Sequence, residues 1–563
     1  MDITLIIKEM QQAFEYIERV NHEASWRDIS RYILLENAGN FQSTNTPGAR
    51  KTGSIFDTTG IQANKDLAAS IHGTLTNPAT KWFSLRHNDE KHNNDAPATA
   101  WLQESVDIML DHLARSNFYT EVAKAYIQYC ALGNMVLFQE EDFGKDDKGF
   151  EGFYFKAVHL SEVAFSENYK GEVDKIFRKF KLTPRQILEK FPDAPSLWLE
   201  KLATHSEERF EILHCVYPRT NLASSEMDVD LKGPKDRAFA SVYIDLTYKT
   251  MLQESGYYEF PLFVSRWSLA PMEIYGTAPG HLALPDVKTL NKLIQLDLEA
   301  RSKAINPPYL TLERNMMGNL DLRPGSINVV RDLEGLRPLD TKTNFTDTND
   351  VIERLKMQIS KVFFLDKLAL PPREDTGAMT AYEVSQRVEQ MQRVLGAVLG
   401  RLTTEVLTPL IFRTFKILYR NGELPKLPDS LKKAGVDVDI MFTNQLSRSQ
   451  RMQDVSAIQA WIQDLTVLFQ LKPEIADYIN GDEITKLVAD IGGVPAKAVT
   501  DDADVQQVRQ QRAQQMAQQQ AQEAAVAQAD VNSKNAKASR PAGGASVGLT
   551  PGAPVNAIGP QGL

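Results

Sequence analysis

Two helical stretches of similar length bracket a short β-rich insertion, and this bracket constrains the fold more than any other feature of the chain. Residues 286–304 carry Val287, Leu290, Leu293, Ile294 and Leu298 at helical spacing, with Asp286 as the expected cap, and "NPP" at 306–308 stops the run. Residues 348–364 repeat the pattern with Val351, Leu355, Ile359 and Val362 or Phe363. At the rise of an α-helix each spans about 27 Å or a little less. Between them, "YLTLE" and "SINVVR" predict a small β unit, with turns at "MMGN", "RPGS" and "LEGL".

On the N-terminal side, residues 5–36 read as one helix with Ile6, Met10, Phe14, Ile17 and Val20 on its stripe, continued by Trp26, Ile29, Tyr32 and Ile33. A polar, turn-rich loop, "NAGNFQSTNTPGARKTGS", follows, and helical periodicity returns at 59–78 and 98–131. "GNMVLFQEED" at 133–142 predicts a strand entering the turn "DFGKDDKGF". From about 150 to 267 the runs "FYFKAVHL", "RFEILHCVYPR" and "FASVYIDLTYKTML" are rich in β-branched and aromatic residues and read as strands. One helix lies among them, with Thr183 as N-cap, Pro184 in the first turn and Gln186 closing a capping box. Past the bracketed insertion, a helix over 381–420 carries a long apolar stripe from Val384 to Leu410, with a capping box from Thr380 to Glu383. Gly396, Gly400 and Pro409 lie inside it as expected bends. Helical periodicity returns over 448–490, capped by Ser447 and Gln450. A Gln/Ala segment at 505–530 suits a polar helix with too few apolar residues to pack alone, and a Gly/Pro/Ser-rich tail is expected to be disordered. The expected class is therefore mixed α+β and mainly helical, divided into several units because 563 residues exceed one ordinary domain.

The bulk composition limits the function classes. A net charge of −10 argues against gripping nucleic acid through a broad basic face, while leaving room for nucleic acid to slide past. The two cysteines, Cys130 and Cys215, supply neither metal-ligand spacing nor a disulfide framework, which fits a reducing cytosol. The N-terminus does not read as a signal peptide, and no apolar run reaches the roughly 20 residues that span a bilayer, so no membrane partner is expected.

Catalytic and cofactor motifs are also missing. "GARKTGS" at 48–54 has the residues of a phosphate loop in the wrong order, and "YGTAPG" at 275–280 lacks the lysine; both read as turns. Ser430 and Lys433 have a Ser-x-x-Lys spacing that is better read as a solvated helical turn. "EEDFGKDDKG" lacks the glycine and distal glutamate of a calcium loop. His214 and Cys215 are neighbours in an expected strand and point to opposite faces, so they cannot share a metal. No nucleophile, base and stabiliser come together, and no enzyme activity, cofactor or metal is expected.

Several motifs in one order carry a resemblance: Arg266–Trp267, Tyr275–Gly276, Pro279–Gly280 with Leu284–Asn291, Thr380–Glu383 in "MTAYEV", and "LSRSQR" at 446–451. The opening "FDTTGIQANKDLAASIHGTLTNPATKWFSL" at 56–85 adds to it. Over residues 1–480 the chain resembles the portal, or head-to-tail connector, of short-tailed (podovirus-type) double-stranded DNA bacteriophages. The resemblance implies a ring of about twelve copies at one capsid vertex, in the virion after assembly in the host cytoplasm. It implies a wing over 1–267, a hinge and first stem helix over 268–305, a clip over 306–346 and a second stem helix over 347–364. A tunnel loop at 365–379, a long wing helix and return at 380–450, crown helices at 451–530 and a tail at 531–563 complete the map. Implied partners are the terminase large subunit, a tail adaptor, the major capsid and scaffolding proteins, and duplex DNA passing through the channel.

On this reading Trp267, Tyr275, Gly276, Pro279 and Gly280 form a hinge aiming the stem helix, with the glycines supplying backbone angles that other residues resist. Lys367, Arg373, Lys288, Lys292 and Lys356 are candidate channel cations, and a few of them among acids suit transient contact with DNA. Arg314, Asp321, Arg323 and Arg337 are candidate clip-interface residues, where mixed charge suits an exchangeable contact. The alternatives are a metal-dependent DNA-processing or hydrolytic enzyme and another virion protein such as a scaffold or internal core component.

Overall fold

The computed structural model describes residues 3–35, 41, 51–89, 95–143, 149–219, 233–311, 336–338, 345–368, 395–434, 438–443 and 505–522, with isolated positions in 321–332 and 457–488. The chain divides into two units, Met1–Asn480 and Gly481–Leu563. In the second unit the helix at 505–522 is exposed along almost all of its length, as its Gln/Ala composition requires. The capping box at Thr380, the helical region from Ser447 and the tail fall largely or wholly outside the described residues.

The first unit is mixed α/β, with helices predominating and two antiparallel sheets at its centre. The smaller sheet has the order β3-β2-β9, from Phe150–Ala157, Asn134–Phe143 and Leu262–Arg266. The larger is a five-stranded meander, β4-β5-β6-β7-β8, from Val163–Glu167, Val173–Leu182, Phe210–Pro218, Phe239–Asp245 and Thr250–Tyr257. β4 and β5 escape a reading by apolar runs because β5 carries Lys175, Arg178 and Lys179. These cations lie over Phe177, Phe180 and Phe14, so the polar side chains cover aromatic surface. A second helix, Leu197–Thr204, also lies in this region and buries Trp198, whereas the Pro184–Lys190 helix forms with the expected capping box. Far along the chain, β1 (Phe83–His87) pairs with β12 (Val438–Phe442), tying the start of the unit to its end.

The expected single helix over 5–36 is two helices, Ile3–Phe14 and Ile17–Tyr32, separated by Tyr16 in an extended conformation. The break lets two faces serve two cores. Ile6 and Met10 pack on Phe177, Leu213, Cys215, Val242 and Ile244 of the large sheet, while Trp26, Ile29 and Ile33 enter the main core. Ile17 and Val20, placed on the stripe by periodicity, are exposed instead. The 98–131 stretch is likewise two helices, Ala96–Arg115 and Phe118–Leu132. They part at Ser116 and Asn117, and the Asn117 side chain exchanges hydrogen bonds of 2.7 and 2.8 Å with the backbone of Phe155.

The bracket is present, with shifted ends. The first helix runs Pro279–Ile305, so it starts well before Asp286, which is an interior residue and not the cap. Pro279 takes the first turn, where a missing N–H costs nothing, and Pro285 lies inside the helix. The second helix is Phe345–Val362; its buried residues are Ile352 and Ile359, and Val351 faces outward. Arg301, near the end of the first helix, bonds Asn349 at 2.9 Å and lies over Phe345, at the start of the second, so the two helices run back along each other. Phe364, at φ 60°, ends the return. At the far end β10 (Tyr309–Thr311) pairs with β11 (Leu336–Pro338). The partner of the "YLTLE" strand is therefore Leu336–Pro338, which begins at the last residue of the "LEGL" turn. The described positions of "SINVVR" lie outside any strand.

The helix Leu395–Asn421 contains a π-helical turn at Thr403–Leu407, between Gly400 and Pro409, where a bend is expected. It is long and apolar enough by composition to cross a membrane, contrary to the sequence reading. Its Leu399, Leu402, Val406, Leu410, Ile411, Phe415 and Leu418 are all buried in the main core, as a central helix of a globular unit requires.

Candidate functional site: the root of the stem and its charges

The stretch Arg266–Gly280 is a packed joint. Trp267 is buried, its ring 5.2 Å from Tyr129, and its backbone N–H donates to Gly133 O at 2.8 Å. Tyr275 is buried among Trp26, Phe165 and His22, with ring centroids 5.4, 4.5 and 6.4 Å away, and burial pushes its hydroxyl up to about 12. Asn134 clasps the Gly276 peptide from both sides, accepting from its N–H at 2.9 Å and donating to its carbonyl at 3.1 Å.

The glycines work differently from the sequence expectation. Neither Gly276 nor Gly280 has a positive φ; the left-handed residue here is Gly133, at φ 77°, which ends the Phe118–Leu132 helix. What Gly276 and Gly280 supply is the absence of a Cβ. A Cβ on Gly276 would lie 2.7 Å from Gly133 O, and one on Gly280 would lie 2.3 Å from Ala131 O. The first turn of the Pro279–Ile305 helix and the residues leading into it therefore rest directly on the backbone of residues 131–133. Farther along, Asn291 accepts from the backbone N–H groups of Phe56 and Asp57 at 2.7 and 3.3 Å and donates to Ser54 O at 2.9 Å.

Beside this joint, Arg266 bridges three elements. Its guanidinium meets Glu167 at 2.5 Å, Glu405 at 2.9 Å and Gly171 O at 2.8 Å, and its backbone N–H donates to Glu405 at 3.0 Å. Burial lowers the Arg266 pKa, but the two carboxylates more than offset it, so the group is held more firmly charged than a free arginine. Glu405 sits in the π-helical turn, so this irregular turn carries one of the two carboxylates that hold Arg266. A second network joins Arg413 and Arg420 to Glu259, with Arg420 bidentate at 2.5 and 2.9 Å. Neither network is visible in spacing, because the partners lie far apart in the chain.

The candidate channel cations do not share one environment. Lys288 is paired with Asp28 and lies over the Tyr32 ring, so it faces the Ile17–Tyr32 helix. Lys356 pairs with Glu353 on its own helix at 3.0 Å. Lys292 is exposed and donates to Gln295 at 3.2 Å, and Lys367 is exposed beyond the second helix. Arg373, Arg314 and Arg323 lie outside the described residues. Asp321 and Arg337 are described, and Arg337 is exposed on β11.

The other titratable groups point away from catalysis. Cys130 and Cys215 are buried and free, and burial raises both thiols away from the reactive thiolate. His214 packs under Phe138 in the main core while Cys215 joins the separate core under the first helix, the two faces expected of adjacent strand residues. His159 is buried and His281 partly buried, and desolvation lowers both to about 4. Sequence reasoning missed one grouping: Glu18, His22 and Glu273 each bring a ligand atom within 4.8 Å of the others. The Glu18–His22 spacing was available, but only the fold brings Glu273 to it.

Two curated relatives align over 88% of this chain and 89% of their own length: the probable portal protein of Bordetella phage BPP-1, 28% identical, and the portal protein of Salmonella phage epsilon15, 27% identical. Among solved structures, a chain of the virion of a native gene transfer agent particle aligns over 83% of this chain and 99% of its own. Its TM-score is 0.34 at 11% identity, and a chain from the C12-symmetric neck of the same particle gives 0.33. The relatives that match at sequence level are structural proteins, and the chain is a structural protein rather than an enzyme. The model of the bacteriophage head to tail connecting proteins matches residues 7–499, and the chain belongs to that family.

Proposed function

We propose that this chain is the portal subunit of a short-tailed phage: a ring of about twelve copies at one capsid vertex, through which DNA is packaged and ejected. The observation that carries the reading is the family match across residues 7–499, with both curated relatives named as portal proteins. The two-helix bracket suits the stem of such a ring. Leu282, Leu296, Leu298 and Ile305 on its first helix and Val351 and Met357 on its second are exposed in the single chain, and neighbouring copies would cover them.

On this reading residues 279–305 and 345–362 form the stem, the β10–β11 pair belongs to the clip, and the body around both sheets is the wing. The tunnel loop follows residue 364, and the crown lies beyond about 451. The acidic chain keeps most of the ring repulsive to DNA, and Lys292 and Lys367 are among the exposed cations of this region that suit transient contact. Arg337, with Arg314, Asp321 and Arg323, belongs to the clip end that would meet the terminase large subunit during packaging and a tail adaptor afterwards. Capsid and scaffolding proteins would contact the wing, in the virion after assembly in the host cytoplasm.

Class averages of the purified full-length protein by negative-stain electron microscopy test the proposal. Rings with a central channel wide enough for a duplex are expected. Compact monomers at every protein and salt concentration would overturn it.

A further inference from the structure

Glu18 and His22 stand one turn apart on the helix Ile17–Tyr32, so their side chains share a face. The loop between β9 and the stem helix brings Glu273 over that face. His22 Nε2 lies 3.9 Å from Glu273 Oε2, too far for a hydrogen bond, and all three ligand atoms fall within 4.8 Å of one another. Ligands held at about 2.0–2.2 Å from one ion sit roughly 3–4 Å apart, so a cation would draw these side chains in by about an ångström at most.

The donors are already oriented. Glu18 Oε1 accepts the backbone N–H groups of Ile274 and Tyr275 at 2.8 and 2.7 Å, which fixes the carboxylate and leaves its second oxygen available. The His22 ring is stacked on Trp26, with centroids 5.5 Å apart and planes 15° apart. His281 stands edge-on to His22 at 6.2 Å. Its Nδ1 accepts the N–H of Ala278, so the proton sits on Nε2, and that buried nitrogen has no hydrogen-bond partner. Water bound to an ion at His22 is the kind of acceptor this N–H lacks.

We propose that Glu18, His22 and Glu273 bind a divalent first-row transition ion, zinc before manganese, and thereby clip the Ile17–Tyr32 helix to the loop entering the stem. One imidazole and two carboxylates are borderline-hard donors, and three ligands leave a position for water. The site stands on these residues and does not depend on the portal reading.

The test uses tag-free, chelator-stripped full-length protein in equilibrium dialysis against Zn²⁺, with Co²⁺ absorption to report nitrogen and oxygen coordination. Roughly one tightly bound ion per chain is expected, with a raised melting midpoint in zinc. His22→Gln and Glu273→Gln should each weaken that binding by at least about tenfold and abolish the zinc-dependent shift. Both positions are partly exposed, so the folded body should survive, and circular dichroism of the metal-free proteins checks it. Absent saturable binding, or binding equally strong in both variants, would overturn the site. So would substitutions that lower the midpoint equally with and without zinc, which would reduce the His22–Glu273 contact to an ion pair.

Discussion

Gly280→Ala is the sharpest perturbation of the first turn of the Pro279–Ile305 helix. The new Cβ would lie 2.3 Å from Ala131 O, 2.8 Å from its Cα and 2.9 Å from its carbonyl carbon, against ordinary contacts of 3.4–4 Å. All three obstacles are backbone atoms of the last turn of the Phe118–Leu132 helix, so no side chain can swing aside. Either helix must move by about 1 Å, and overpacking of this kind costs about 1–3 kcal/mol. The helical preference of alanine over glycine returns less than about 1 kcal/mol, since residue 280 lies in the first turn. The net loss should be about 1–2 kcal/mol, read as a lower denaturant midpoint and, in a unit this large, a melting midpoint lower by only about 1–2 °C. Gly400→Ala is the matched control, because nothing lies within 4 Å of a Cβ there and the position is an exposed helical one. That variant should melt at or slightly above the parent. A Gly280→Ala protein as stable as Gly400→Ala would refute the close approach and return the stretch to a loose linker.

Other expectations are simpler to state. Arg266→Met leaves Glu167 and Glu405 facing each other without their cation, and should cost about 3 kcal/mol in denaturant unfolding. Adding Glu405→Gln should recover part of that loss in a double-mutant cycle. His159, buried and lowered to about 4, stays neutral in the folded state while the unfolded chain takes up a proton below about 6.5. Its share of stability, up to about 3 kcal/mol, is therefore fully present above that pH and is lost as the pH falls towards 4; His159→Gln should flatten the acid limb of a stability–pH curve. Thr183→Ala removes a capping box and should cost about 1 kcal/mol without touching ring formation. Lys292→Ala should leave ring assembly intact and alter the salt dependence of DNA packaging, and an unchanged dependence would remove it from the channel.

How much of this was legible in the sequence follows from how local each feature is. The bracket, the capping box at Thr183 and the strand at 134–143 are written in neighbouring residues, and each forms close to where it is expected. Boundaries failed where tertiary contacts overrode period. Ile17 continues the stripe of the first helix, but the chain turns at Tyr16 because two separate cores compete for the two halves. The start of the Pro279–Ile305 helix was missed because Pro285 and Asp286 look like a helix opening. The true opening at Pro279 is held by Ala131 and Gly133, which no local pattern reveals.

The same contrast explains how a glycine-bearing stretch can aim a helix without being flexible. A hinge built on free backbone angles would give the Pro279–Ile305 helix a range of directions, at an entropic cost for choosing one. Here the direction is fixed by backbone lying on backbone at Gly133, Gly276 and Gly280, by the Asn134 clasp and by the Asn291 tie to residues 54–57. Arg266 then joins this joint to the π-helical turn at Glu405, so that the Leu395–Asn421 helix and the start of the Pro279–Ile305 helix share one ion-pair network. A displacement of one helix would therefore reach the other through Glu405 and Arg266, and the Pro279–Ile305 helix would tilt only as far as that network yields.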